Sequence, residues 1–178
     1  AKIDPNGNCT SGIDRFYDPK TANWQENPSD YIYTWDPQMY LNIYVVKGIG
    51  MPHIGTTRTS CTNGFTYLAG TLPTSDRMDA VVVVHGCIGS IGTSIPLTSR
   101  ALTHEVGHWL NLQHTWGLGS NVGWWPNTGP GFACGDDQVT DTPITKGFYN
   151  CTTEAASQVC TPGIPENYQN FMDESYCR

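Results

Sequence analysis

Charge is scarce in this chain, and positive charge most of all. Lys and Arg together number 9 among 178 residues, and 14% of residues are charged. There is no basic cluster and the formal net charge is −7, so nucleic acid and anionic membrane surfaces are not expected partners. No apolar run approaches the ~20 residues that cross a bilayer, so no membrane partner is expected either. The opening "AKIDPNGNC" is polar and unlike a secretory leader. The chain is therefore cytosolic, or its targeting segment has been removed. CxxC pairs of the zinc-ribbon or redox type are also missing.

What is present favours export. Seven cysteines are scattered at 9, 61, 87, 134, 151, 160 and 177, among 19 Gly and 12 Pro. Scattered cysteines in a loop-rich chain read as disulfides formed in an oxidising, extracellular setting. Seven is odd, so at least one lacks a partner within the chain. Asn-Cys-Thr sequons at Asn8 and Asn150 agree with export where the source glycosylates its proteins. The acidic residues of the loops are mostly a solubility feature, although such oxygens also suit a hard cation.

Residues 1–39 are rich in turn signals. "YLNIYVVKGI", Tyr40 to Ile49, is β-branched and aromatic and predicts a strand. "MPHIGTTRTSCTNG" reads as loop. "DAVVVVHG", Asp79 to Gly86, predicts a second strand. From Thr98 or Ser99, either of which could cap, the period becomes helical. Leu102, Val106, Trp109 and Leu110 then form one apolar stripe. Beyond Gly117 the chain reads as irregular, apart from a short helix near Thr153–Val159. No internal repeat or linker occurs, so one domain in two parts is expected: 1–110 with sheet and helix, and 111–178 irregular.

The chemistry concentrates in "ALTHEVGHWLNLQHTWG", Ala101 to Gly117, which holds three of the five histidines. His104 and His108 are four apart and stack on one helix face. Two imidazoles from one rigid element suit zinc, whose catalytic sites use three protein ligands and an open position. Glu105 lies about 100° around the helix from His104. There a carboxylate can take a proton from an activated water without being a ligand. His114 is the third candidate ligand. A continuing helix would carry it ~9 Å along the axis from His108, so the helix must stop between them. Asn111 is the expected stop, because Asn tolerates the left-handed conformation best after Gly. His53 and His85 each stand alone near a strand or loop and are read as structural.

"HEVGHWLNLQH" resembles the extended zinc motif HExxHxxGxxH of the metzincin metallopeptidases, and within them the pappalysin family. "WDPQMYLNIYVV" resembles the strand region before the site. "CGDDQVTDTP", Cys134 to Pro143, resembles the family's calcium-binding segment. "ENYQNFMDESYC", Glu166 to Cys177, resembles its Met-turn. The resemblance implies an α+β fold: a twisted mixed sheet with an active-site helix, above an irregular, disulfide-stapled C-terminal subdomain. It implies zinc (Zn2+) on His104, His108 and His114, with Glu105 as general base. It implies Met172 beneath the metal, and calcium (Ca2+) on Asp137, Val139, Asp141 and Thr142. It also implies bridges Cys134–Cys160 and Cys151–Cys177, with Cys61–Cys87 as a third and Cys9 alone.

Two positions depart from the family pattern. Asn111 stands where Gly is usual. Glu174 stands where Tyr is usual, two residues past the methionine, and Tyr176 is the nearest tyrosine. The family's strand–helix–strand unit before this region and its pocket segment after the Met-turn are absent, so a fragment of a longer peptidase is expected, with remaining precursor segments as a partner. The expected function is secreted zinc endopeptidase acting on peptides or proteins. The peptide would lie along "DAVVVVHG" as an added edge strand. The alternatives are a zinc and calcium module that binds a protein partner without cutting it, and a zincin whose third ligand is a distant Glu.

Overall fold

A computed structural model of the chain describes residues 2–4, 7–11, 19, 22–24, 33–51, 56–58, 64–66, 79–94, 99–117, 134–148 and 160–175. Within these, β1 is Asn23–Trp24, β2 Asn42–Val46, β3 Gly48–Met51, β4 Thr56–Arg58, β5 Gly64–Phe65, β6 Ala80–Val84 and α1 Ala101–Trp109. They form two three-stranded sheets, β2-β6-β5 and β1-β3-β4, and both are mixed. β6 runs parallel to β2, with Val46 beside Val84, and antiparallel to β5, with Phe65 beside Val82.

The strand expected over Tyr40–Ile49 is real but broken. The amides of Lys47 and Gly48 both donate to the Ala22 carbonyl, at 2.9 and 3.1 Å. That turns the chain, so β2 joins one sheet and β3 the other. β4 and β5 occupy a stretch read as loop. Both are short, and "TTR" and "GF" carry no apolar alternation that would signal a strand. Ahead of β2, Asn42 fixes the "WDPQ" turn. Its side chain accepts from the Trp35 amide and donates to the Trp35 carbonyl, each at 2.9 Å.

β6 is buried along its whole length, as a strand covered on both faces should be. Val82, Val83 and Val84 join Trp24, Val46, Ile49 and Cys87 in the core, with Phe65 and Leu102 packed against it. Trp24 meets Phe65 with ring centroids 5.0 Å apart. β6 is thus the central strand of its sheet, and it cannot receive a peptide as an added edge strand. Among the described residues the edge nearest α1 is β5.

α1 begins later than expected. Arg100 is its N-cap, without a side-chain cap bond. Thr98 lies outside the described residues. Trp109 ties the helix to the start of β6 by donating its indole N–H to Asp79, at 2.7 Å. Leu110 leaves the predicted stripe and is 62% exposed, because the helix has already ended there. The buried helix residues are His104, Glu105 and Gly107, so the polar face also points inward. No helix among the described residues is long and apolar enough to cross a membrane.

The irregular second part is held by polar stitching. Cys134 and Cys160 form a disulfide across 26 residues, a closure that removes about 3 kcal/mol of chain entropy from the unfolded state. The buried Glu166 carboxylate accepts from the Thr145 hydroxyl at 2.7 Å, the Lys146 amide at 2.9 Å and the Cys160 amide at 2.8 Å. A buried carboxylate is tolerated only when so paired. The partners expected for Cys87 and Cys151, Cys61 and Cys177, lie outside the described residues, as do Cys151 itself, Thr153–Val159 and Asn150.

Candidate active site

The site begins with how α1 ends. Asn111 has φ +70°. Its amide donates to the His108 carbonyl at 2.8 Å, and the Leu112 amide reaches back to the Gly107 carbonyl at 2.9 Å. These are the two bonds of a Schellman motif, with Asn at the left-handed position. The chain reverses within three residues and brings His114 back to the helix. His104, His108 and His114 then converge, with donor atoms all within 4.8 Å of one another. Nε2 of His108 lies 3.2 Å from Nε2 of His114.

Backbone carbonyls set the ring orientations. His104 Nδ1 faces the Phe171 carbonyl and His108 Nδ1 faces the Leu112 carbonyl, each at 2.8 Å. A carbonyl only accepts, so both Nδ1 atoms carry the proton and both Nε2 atoms present lone pairs. Two imidazole lone pairs at 3.2 Å repel unless a cation or proton sits between them. The donor set therefore fits a divalent metal that favours nitrogen, as zinc does. Burial lowers the His104 pKa, and His114 adds to this against the opposing Glu174. Burial, with His104 and His114 next, pushes His108 down to about 4. Both rings are thus held neutral near pH 7, as ligation requires. His114 stacks on Trp116, with centroids 4.7 Å apart and planes 8° from parallel.

The Met-turn closes the site from below. A Cβ added at Gly107 would overlap the Met172 sulfur, with Cε 3.1 Å away. Gly107 is therefore the space Met172 occupies, and Met172 packs rather than ligates. The turn is strapped to α1 at several points. Arg100 donates to the Gln169 carbonyl at 2.6 Å and lies 4.3 Å over the Phe171 ring. The Thr115 amide donates to the Met172 carbonyl at 3.3 Å.

Two carboxylates face the histidines. Glu105 is buried, and a Cβ on Gly64 of β5 would fall 2.6 Å from its Cδ and Oε1. Burial, then the charge of Glu174, holds the Glu105 pKa well above the usual carboxylate range. Glu174 Oε1 lies 3.4 Å from His114 Nε2. Burial pushes the Glu174 carboxyl up, but the His114 bond and the three imidazoles outweigh it and lower its pKa. Tyr176 lies outside the described residues.

The acidic segment is a chain of tight turns. Asp136 accepts from the Gln138 amide at 2.7 Å and Asp137 from the Val139 amide at 3.0 Å. The Thr142 amide donates to the Val139 carbonyl at 3.0 Å. Asp137 is buried and Asp141 exposed. Among the described residues the three histidines are the group of His, Cys, Asp and Glu placed to share an ion. His85 binds the Thr93 hydroxyl through Nδ1 at 2.8 Å, away from the site. His53 lies outside the described residues.

Gly64, Gly107 and the carbonyls of Leu112 and Phe171 shape the site and were missed in the sequence. The glycines gave a weak signal as lone small residues in a strand and a helix. The carbonyls gave none.

Known proteins agree with this geometry. Residues 26–178 match the family model Peptidase_M43, described as pregnancy-associated plasma protein-A. An extracellular metalloprotease of the fungus Colletotrichum graminicola is 30% identical over 142 residues, covering 76% of this chain and 42% of that protein. Mature mirolysin of Tannerella forsythia, solved with a cleaved peptide, superposes with a TM-score of 0.70 at 28% identity, covering 97% of this chain and 60% of that one. A mutant of its precursor, promirolysin, gives a TM-score of 0.66 at 26% identity, covering 97% and 53%. The chain thus spans about half the length of these relatives. With the family model covering most of its length and the fold shared with mirolysin, the chain belongs to the pappalysin family of metzincin metallopeptidases.

Proposed function

We propose that the chain carries the catalytic site of a secreted zinc endopeptidase. The observation that carries this reading is the convergence of three neutral imidazoles next to a buried carboxylate that none of them needs as a structural partner. His104, His108 and His114 would hold the metal. When bound, it supplies Lewis acidity toward water and the scissile carbonyl. Glu105 takes the proton of the attacking water on its carboxylate and delivers it to the departing nitrogen. Its raised pKa suits both halves of that transfer, since the proton is held long enough to be handed on. Gly64 leaves room for this side chain, and β5 offers the edge along which an extended peptide pairs.

Calcium on Asp137, Val139, Asp141 and Thr142 belongs to the same reading. It is supported by the buried Asp137 in a turn rich in oxygen. Secretion is supported by the Cys134–Cys160 bridge and by the extracellular fungal relative. A module that binds without cutting has no use for Glu105 buried beside the histidines.

A peptide library digested with and without a zinc chelator, alongside Glu105→Ala, tests the reading. Chelator-sensitive cuts that vanish in the variant are expected. A folded, zinc-loaded protein that cuts nothing would overturn it.

A further inference from the structure

The two carboxylates at the site are not equivalent. Glu105 is buried and wedged against Gly64, with no space to swing. Glu174 is 32% exposed at its side chain and has solvent to move into. Its backbone is nevertheless pinned on both sides. The Ser175 amide donates to Asp173 at 2.8 Å, the Ser175 hydroxyl bonds the Tyr168 carbonyl, and Asp173 also accepts from the Phe148 amide at 3.3 Å. A fixed stem with a free tip points one oxygen at the histidines.

The distance matters. Two ligands 2.0–2.1 Å from a tetrahedral metal stand about 3.3 Å apart. His108 and His114 Nε2 are 3.2 Å apart, and Glu174 Oε1 is 3.4 Å from His114 Nε2. Glu174 is thus spaced from His114 as a fellow ligand would be. A lone pair of His114 directed at a metal also leaves no proton on Nε2 to attract Glu174. With the site loaded, the carboxylate must either share the cation or turn outward.

We propose that Glu174 is a fourth protein donor that closes this metal site at rest and swings out when a peptide takes its place. The inference rests on the peptidase reading and deepens it: substrate gains access only by displacing a carboxylate. The site binds its metal more tightly than three imidazoles alone, and weakly bound peptides fail to open it.

The test is metal binding by the full-length protein, read as zinc affinity in chelator competition and as the absorption spectrum of the cobalt(II) form. Glu174→Ala should lower zinc affinity roughly 10- to 100-fold, as lost support of a metal site does. It should also change the cobalt spectrum. Glu174→Gln, which keeps shape and removes charge, should fall between. His108→Ala marks loss of the site itself. If His108→Ala loses the metal while both Glu174 variants keep wild-type affinity and spectrum, this inference fails and the peptidase reading stands. If the wild-type protein takes up no metal, both fail.

Discussion

Alanine at Gly107 sets two effects against each other. In an exposed helix interior, replacing Gly by Ala stabilises by about 0.8–1 kcal/mol, because the backbone loses less freedom on folding. Here the new Cβ would overlap the Met172 sulfur and stand 3.1 Å from Cε. Forcing a methyl into a packed position costs about 1–3 kcal/mol. The net expectation is a loss of about 0–2 kcal/mol, a modest change in urea or thermal unfolding. The larger effect should fall on the metal. Met172 cannot retreat alone, because its carbonyl holds Thr115 and the neighbouring Phe171 carbonyl orients His104. A shifted turn loosens that ring, so zinc affinity should drop about 10- to 100-fold in chelator competition. Met172→Ala should restore much of it when combined with Gly107→Ala, and a double-mutant cycle should show coupling of about 1 kcal/mol or more. A Gly107→Ala protein that is about 1 kcal/mol more stable and binds zinc as before would refute the packing argument.

Asn111→Gly should be neutral or slightly stabilising in urea unfolding, while Asn111→Ala should cost about 1–2 kcal/mol, because φ is +70° there. Equal stability of the two variants would contradict the left-handed cap. Asp173 is buried, which raises its pKa to about 7 against the opposing bonds from Ser175 and Phe148. An acid whose folded pKa exceeds its unfolded value adds stability below the unfolded pKa and loses it as pH rises through the folded one. The stability advantage of wild type over Asp173→Asn should therefore shrink by about 2–3 kcal/mol between pH 5 and pH 8. An advantage that stays constant with pH would show that Asp173 does not titrate there.

What could be read from the sequence was what is local. Histidine spacing, the helical period and the stop at Asn111 all act within one turn or the next, and each appears where expected. The break at Lys47 was hidden because its cause, the Ala22 carbonyl, lies more than twenty residues away. β5 was hidden because a two-residue edge strand with a glycine has no period to read. Placing β6 at an edge failed for the same reason: its neighbours on one side are set by β5. The Cys134–Cys160 pairing was implied by family resemblance, and spacing alone does not specify it.

One backbone conformation accounts for much of the site. With Asn111 left-handed, α1 stops while His108 is still on its last turn, and the chain returns His114 to within 3.2 Å of it. The same reversal places the Leu112 carbonyl against His108 Nδ1. It also leaves Gly107 as C3 of the cap, its amide side facing the Met-turn and its carbonyl bound by Leu112. Ligand position, ligand tautomer and the seat for Met172 are therefore coupled through five residues, Gly107 to Asn111. Extending the helix by even one turn would disturb all three together. That coupling explains how a part with so little regular structure can hold a metal site: the rigid element is the helix end, and the irregular segment only has to deliver one histidine, one carbonyl and one sulfur to it.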